Sequence, residues 1–173
     1  MQNEEKLEVW LRGPLPELPA LLQPAAHALL QALEEISIPE SQFPNDLLWE
    51  RPADVASVGF HLQHLTGVLD RLLTYARKES LNDIQLEYLR GEAKEPFIGC
   101  TYGDLLNNFK SQVGKALDQM RETDESSLTE IRYVGRARIP STHLGLIFHA
   151  AEHSQRHVGQ LLVTARILMY RKE

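Results

Sequence analysis

The chain has 173 residues, a formal charge of −6, one cysteine and 43% hydrophobic residues. This length suits a single domain (residues 1–173, with its core over about 20–170), and the apolar content predicts a packed chain rather than a disordered one. No apolar run approaches the ~18 residues of a membrane-spanning helix. The acidic balance argues against a nucleic-acid binder, which normally has a basic surface. One cysteine, and a start without a signal-peptide pattern, predict a cytoplasmic protein.

Helical periodicity and proline positions divide the chain into elements. In chain order we predict a loose lead-in over 1–17, a helix over 24–35, a loop at Ile38–Pro39 and Phe43–Pro44, a helix over 57–77, a short helix over 83–89 that ends at Gly91, a helix over 101–121, an extended crossing loop over 126–139, and a helix over 142–170 that Pro140 and Ser141 open. Ser57 is a suitable N-cap, and Thr101 with Asp104 resembles a capping box. Four long helices without a convincing sheet predict an all-α fold, a four-helix bundle with long connections.

The last predicted helix is apolar on two sides. When residues are placed 100° apart, Leu146 and Leu161 share one face with two histidines, whereas Ile147 and Val158 lie on roughly the opposite face. One face can take the bundle core, but the other needs a further helix or a second subunit. We therefore expect a homodimer.

Histidine is the residue type that stands out, because five of the seven histidines fall into two short segments. His149, His153 and His157 are spaced at i, i+4 and i+8. Neighbouring members lie about 6 Å apart along a helix axis and can converge on one ion, whereas the outer two lie about 12 Å apart and cannot. His153 and His157 are near the centre of the inward face, which favours that pair.

The second predicted helix adds His61 and His64, three residues apart and on one side. One of them would complete a site of three imidazoles with open positions, which is typical of catalytic rather than structural metal sites. The helical wheel leaves both open, because His61 lies inside the apolar arc and His64 on its border.

The alternative is that these histidines are ordinary core polar groups. Burying two imidazoles in one inward pair without a shared purpose is costly, which favours the metal site. We expect His27 and His143 to be ordinary, and Cys100 to be a bystander. The acidic residues Asp83, Glu87, Glu92 and 122–125 have the pattern of a solvated surface.

Two segments resemble the signatures of the DinB-like superfamily. Residues 152–160, EHSQRHVGQ, resemble its C-terminal motif, a His-x-x-x-His followed by x-Gly-Gln, and residues 60–71, FHLQHLTGVLDR, resemble its second-helix motif. The resemblance implies a four-helix bundle with a long crossover, often a homodimer, with three histidines that bind a divalent metal such as nickel or zinc. Matched by position, the ligands would be His64, His153 and His157, with His61 and His149 as possible auxiliary ligands.

The resemblance also implies chemistry. Characterised members include metal-dependent transferases that join low-molecular-weight thiols to electrophiles, so we expect a small-molecule substrate and, despite the family's name, no nucleic-acid role. A metal-dependent hydrolase is the first alternative, but it needs a general base and Glu152 points toward the polar strip of its helix. A non-catalytic bundle is the second alternative.

Overall fold

Helices form most of the protein in the computed structural model, which describes residues 6–37 and 41–170. The elements of these residues are α1 (Gln23–Ser37), α2 (Val58–Ala76), α3 (Asp83–Gly91), α4 (Tyr102–Arg121), β1 (Ile131–Val134), β2 (Ile139–Thr142) and α5 (His143–Tyr170). All five helices lie within a few residues of their predicted bounds. The Ile38–Pro39 part of the first predicted loop lies outside the described residues, and Phe43–Pro44 lies in the connection between α1 and α2 as predicted.

Side-chain caps decide where three of the helices begin. The Ser57 side chain accepts a hydrogen bond from a backbone N–H in the first turn of α2. Thr101 and Asp104 form the capping box that starts α4, as predicted. Asn82 and Gln85 form a second capping box at α3, which the sequence analysis did not identify. Each cap satisfies backbone N–H groups that have no partner within the helix.

The four long helices close into a bundle. Helix α5 packs against α1 and α2, and α4 packs against the same two helices from the other side. This ring of contacts confirms the predicted all-α four-helix bundle. The core is contiguous, and its largest fully buried side chains are Tyr102, Phe109, Leu22, Leu29, Ile36, Leu48, Leu62, Leu65, Leu69, Leu73, Met120 and Leu128.

Both apolar faces of α5 are covered within one chain. Leu146 and Leu161 are buried, and so are Ile147 and Val158 on the other side of the helix. The two coverings are α1 and α2, which both pack extensively on α5. The second apolar face therefore does not require a second subunit, and homodimer formation stays a prediction.

The predicted crossing loop over 126–139 is wrong. Strands β1 and β2 form an antiparallel hairpin in which Tyr133 pairs with Pro140, and the turn contains Gly135 at a φ of 65°. Pro140 and Ser141 lie in β2 and do not open the last helix, which begins at His143. A two-stranded sheet consists only of edge strands, where proline is tolerated because no ladder hydrogen bond is lost on the open side.

The N-terminal segment is more ordered than predicted. Residues Val9–Arg12 form a 3-10 turn against α1. Val9 is buried and its backbone N–H donates to Gln31, while the Arg12 guanidinium forms two hydrogen bonds with the Glu34 carboxylate. Across the described residues, no helix has the length and apolar character needed to cross a membrane.

Two glycines provide a matched test of helix packing. A Cβ on Gly59 in α2 would come within 2.6 Å of the Trp49 ring, whereas a Cβ on Gly114 in α4 would meet nothing within 4 Å. Overpacking should make Gly59→Ala lower the free energy of unfolding by about 1–3 kcal/mol. Gly114→Ala should raise it by about 0.5–1 kcal/mol, because alanine favours an exposed helix. Urea unfolding measures both, and a Gly59→Ala protein as stable as wild type would contradict the packing described here.

Candidate metal centre

The histidine cluster lies where α2 and α5 face each other. Helix α2 contributes His61 and His64, and α5 contributes His149, His153 and His157, so all five histidines of the two segments meet at one interface. The i, i+3 and i, i+4 spacings place the side chains of each helix on the side that faces the other. Three of these histidines form a close group.

His64, His153 and His157 offer nitrogen atoms that all lie within 4.8 Å of one another, and the three side chains together could hold a metal ion. The Nε2 atoms of His64 and His153 are 2.9 Å apart. The ring centroid of His157 lies 4.4 Å from that of His64 and 4.6 Å from that of His153. Two nitrogens bound to one ion at about 2.1 Å are about 3.0 Å apart at a ligand angle of about 90° and about 3.4 Å apart at the tetrahedral angle, so the first pair is close to the spacing that a shared ion requires.

His61 stands behind His157. It is 3% exposed, and its Nδ1 lies 2.9 Å from Nδ1 of His157, so one ring donates a hydrogen bond to the other. With that nitrogen engaged, Nε2 is the atom of His157 left for an ion. His61 is outside the group of three, and its contact orients a member of that group.

His149 lies at the outer end of the cluster. Its side chain is half-exposed, and its Nδ1 is 3.4 Å from a carboxylate oxygen of Glu152. Its ring centroid is 5.3 Å from that of His153, and it is also outside the group of three.

Glu92 is a site residue that the sequence analysis missed. Its side chain is 7% exposed, so the prediction that it belongs to a solvated acidic surface is wrong. One carboxylate oxygen lies 2.7 Å from Nδ1 of His64, and the other accepts a hydrogen bond of 2.6 Å from Arg71. A carboxylate on the outer nitrogen of a histidine fixes its tautomer and leaves a lone pair on the inner nitrogen, which here is Nε2.

The Gln63 side chain fixes the backbone that follows Glu92. The Gln63 side chain accepts a hydrogen bond from the backbone N–H of Ala93 and donates one to the carbonyl of Lys94. The loop after α3 is thereby fixed to α2 one residue before His64.

Gly67 is the sequence signal for this arrangement. A Cβ there would lie 2.5 Å from the Glu92 carboxylate and 2.6 Å from the Arg71 guanidinium. Glycine inside a helix costs about 1 kcal/mol relative to alanine, so its presence indicates a close approach of other groups.

Burial keeps most of the cluster uncharged. Burial, and then the neighbouring His64, lower the pKa of His61 to about 4. Burial and then the surrounding histidines lower the pKa of His157 to about 3, and the same causes lower the pKa of His153. Burial alone would raise the pKa of Glu92, but hydrogen bonds with His64 and Arg71 outweigh it and lower that pKa. At neutral pH His61, His153 and His157 are therefore neutral imidazoles, and they lie near the ionised carboxylate of Glu92.

These residues fit a divalent ion better than they fit a plain polar core. Neutral imidazoles are the ligands that zinc and nickel accept, and a hydrogen-bonded carboxylate commonly supports them. Nε2 of His153 lies within hydrogen-bond distance of His64, while its Nδ1 is buried without a hydrogen-bond partner among the described residues. Among the described residues His27 and His143 also have a buried nitrogen without a partner, so the feature specific to this cluster is the convergence of three imidazoles.

The remaining residues singled out from the sequence lie elsewhere. His143 contacts Ser127 and Arg132 next to the β-hairpin. His27 lies on α1. Cys100 is buried before α4, and burial raises the pKa of its thiol, which disfavours the thiolate.

Comparison with known proteins supports the assignment of the chain to a family. A search of curated proteins gives no match. The family model described as the DinB superfamily matches residues 20–161, which include α1, α2, the histidine segments of α2 and α5, and Glu92. The match covers most of the chain and confirms the resemblance drawn from residues 60–71 and 152–160. The chain belongs to the DinB superfamily.

Proposed function

We propose that this protein binds a divalent metal through His64, His153 and His157 and uses it to join a low-molecular-weight thiol to an electrophilic small molecule. The observation that carries the proposal is the convergence of these three imidazoles from α2 and α5. Nickel and zinc are the ions we favour, since both accept imidazole nitrogen.

The surrounding residues support the ligands in distinct ways. The Glu92 carboxylate accepts a hydrogen bond from the Nδ1–H of His64, which leaves the lone pair on Nε2. Arg71 neutralises the charge of Glu92, so this support does not leave an unpaired charge in the interface. His61 orients His157 through the hydrogen bond between their Nδ1 atoms. We assign these three residues positioning roles and leave the catalytic residues unassigned.

A three-imidazole site leaves room for a reactant. A divalent ion held by three ligands keeps open positions and lowers the pKa of a thiol or water that binds there. A cleft of about 720 Å³ is lined by His61 and by residues of α5 that include Val163 and Ile167, and its lining does not include the three proposed ligands. Its size suits a small organic molecule, and its apolar walls would exclude water from that molecule.

Thiol transfer is favoured over hydrolysis because the carboxylates at the cluster are already engaged. Glu92 is bound to both His64 and Arg71. Glu152 pairs with Arg156 on the polar strip of α5, and hydrogen bonding from Arg156 lowers its pKa. A hydrolase would need a free carboxylate or histidine to take a proton from water.

The first prediction concerns metal content. Untagged protein reconstituted with zinc or nickel should hold about one ion per chain. His153→Ala should reduce this to below about 0.2, because two imidazoles cannot retain the ion against a chelator. His27→Gln, which changes a histidine outside the cluster, is the matched control and should keep the metal. Elemental analysis after gel filtration measures all three proteins, and equal metal content in wild type and His153→Ala would exclude the site. It would leave the non-catalytic bundle as the better description.

The second prediction tests the role of Glu92. Glu92→Gln keeps the size of the side chain but removes the charge that holds His64, so metal affinity should fall by about 10- to 100-fold. Glu87→Gln, on the exposed surface of α3, is the control and should bind as wild type does. Competition with a chromophoric chelator gives the dissociation constants. Unchanged affinity in Glu92→Gln would contradict a supporting role for this carboxylate.

The third prediction concerns activity. Metal-loaded protein should accelerate the reaction of a low-molecular-weight thiol with 1-chloro-2,4-dinitrobenzene or a comparable electrophile, with cysteine and glutathione among the thiols. The rate should fall by about ten-fold or more in His153→Ala, because the thiol would then keep its solution pKa. Absorbance of the thioether product measures the rate. A rate that is equal with and without metal for every thiol would refute the transferase proposal and leave the metal site intact.

A further inference from the structure

A second cleft lies away from the histidines, at the C-terminal end of α2. It has a volume of about 610 Å³ and lies between the turn of the β-hairpin, residues 135–138, and the segment that follows α2, residues 78–81. Tyr75 lines it and is eleven residues beyond His64, which corresponds to about 16 Å along the helix axis. The cleft shares no residue with the metal-binding group.

The cleft is basic although the chain is acidic. Its lining includes four basic side chains, Lys78, Arg132, Arg136 and Arg138, and one acidic side chain, Glu79. A concave surface of one charge concentrates the field and attracts small ions of the opposite charge. In a chain with a net charge of −6, this accumulation of cations is a local feature.

Two of these cations are not neutralised by the protein. Lys78 and Arg132 both contact the Glu130 carboxylate. Arg136 makes no hydrogen bond or ion pair with any residue that the structure describes, and Arg138 stacks on Tyr133 with its guanidinium carbon 4.2 Å from the ring centroid. The guanidinium groups of Arg136 and Arg138 are therefore available to an added anion.

The cleft is preformed. Arg132 is buried and its guanidinium donates a hydrogen bond of 2.7 Å to the carbonyl of Ala76, the last residue of α2. The hairpin is thus fastened to the helix, and the two sides of the cleft cannot separate without breaking a buried charged hydrogen bond. A preformed site loses little conformational freedom when it binds a ligand.

The walls combine aromatic and aliphatic surface. Tyr75 and Tyr133 contribute rings, and Leu81, Leu86 and Ile131 contribute aliphatic side chains. Tyr133 and Ile131 are exposed even though they are large and apolar. Such walls suit the carbon skeleton of an organic ligand, which a bare inorganic ion would leave uncovered.

Two cations occupy backbone positions that favour glycine. Lys78 has a φ of 67° just after α2, and Arg138 has a φ of 50° in the hairpin turn. Left-handed backbone is unfavourable for side chains with a Cβ, and residues held in it often lie at functional sites. At Lys78 this backbone belongs to the end of α2, because the N–H of Glu79 bonds back to the carbonyl of Thr74. The side chains of Lys78 and Arg138 both line the cleft.

We propose that this cleft binds a small organic anion, with a phosphate or carboxylate group at Arg136 and Arg138 and an aromatic or aliphatic part against the two tyrosines. A long polyanion is disfavoured, because binding it requires an extended basic surface and the chain as a whole is acidic. The proposal is independent of the metal site.

Phenyl phosphate is a suitable probe, and phenol is its neutral counterpart. When phenyl phosphate is titrated into the full-length protein, backbone amide resonances of residues 78–81 and 133–138 should shift and saturate. The affinity should fall as NaCl rises from about 20 to about 200 mM, since the contact is a charged one. Phenol should bind at least about ten-fold more weakly, because it lacks the anionic group.

Matched variants locate the interaction. Arg136→Gln should weaken binding by at least about five-fold, whereas Arg90→Gln, at an exposed arginine on α3, should have no effect. Arg138→Gly should weaken binding while the melting temperature stays equal or rises by about 2–4 °C, because glycine relieves the left-handed backbone. Lost binding in that variant is then not lost folding.

Three results would overturn the proposal. The first is no saturable shift at concentrations up to about 20 mM, which is weaker than a functional small-molecule site. The second is shifts confined to the histidine cluster, which would place the anion at the metal. The third is equal binding to wild type and to a protein that combines Arg136→Gln with Arg138→Gln.

Discussion

The contact between α2 and α5 imposes the constraint on which the rest of the site depends. It buries His61 and partly buries His64, His153 and His157. Burying an imidazole is costly unless its nitrogens find partners. Burial also holds His61 and His157 in the neutral form, as their lowered pKa values indicate. Lone pairs on the ring nitrogens therefore face one another. A cation shared by His64, His153 and His157 would satisfy them.

Much of the surrounding structure serves this interface. The Glu92 carboxylate reaches His64 from the loop after α3, and that loop is held by the Gln63 side chain. Arg71 can approach the same carboxylate only because Gly67 has no side chain. Glycine in the interior of a helix lowers its intrinsic stability. In α2 this loss accompanies the space that Gly67 leaves for the buried ion pair of Arg71 and Glu92. The short helix α3 positions Glu92, which directly follows its last residue.

The sequence predicted the parts of the structure that depend on local periodicity. Helical spacing placed α2 and α5 correctly, and the residue types at their inward faces indicated His153 and His157 but left His61 and His64 open. Only the family resemblance selected His64, and the structure brings His64, His153 and His157 together. It did not predict Glu92, because a residue just after a helix end has no periodicity to show that it is buried. It also missed the β-hairpin, because the pairing of Tyr133 with Pro140 is a non-local contact and Pro140 suggested a helix start.

Helix α2 gives the two ends of the molecule different electrostatic character. Near its beginning His61 and His64 contact histidines of α5, and the charges beside them are one carboxylate, Glu92, and one guanidinium, Arg71. At its end, basic side chains of the hairpin lie together with Lys78 around one cleft, although the chain as a whole is acidic. A neutral reactant would lack the charged contact at the basic cleft, and an anion bound there would be about 16 Å along the helix from the histidines. The two regions can therefore select different ligands, and occupation of one leaves the other sterically free.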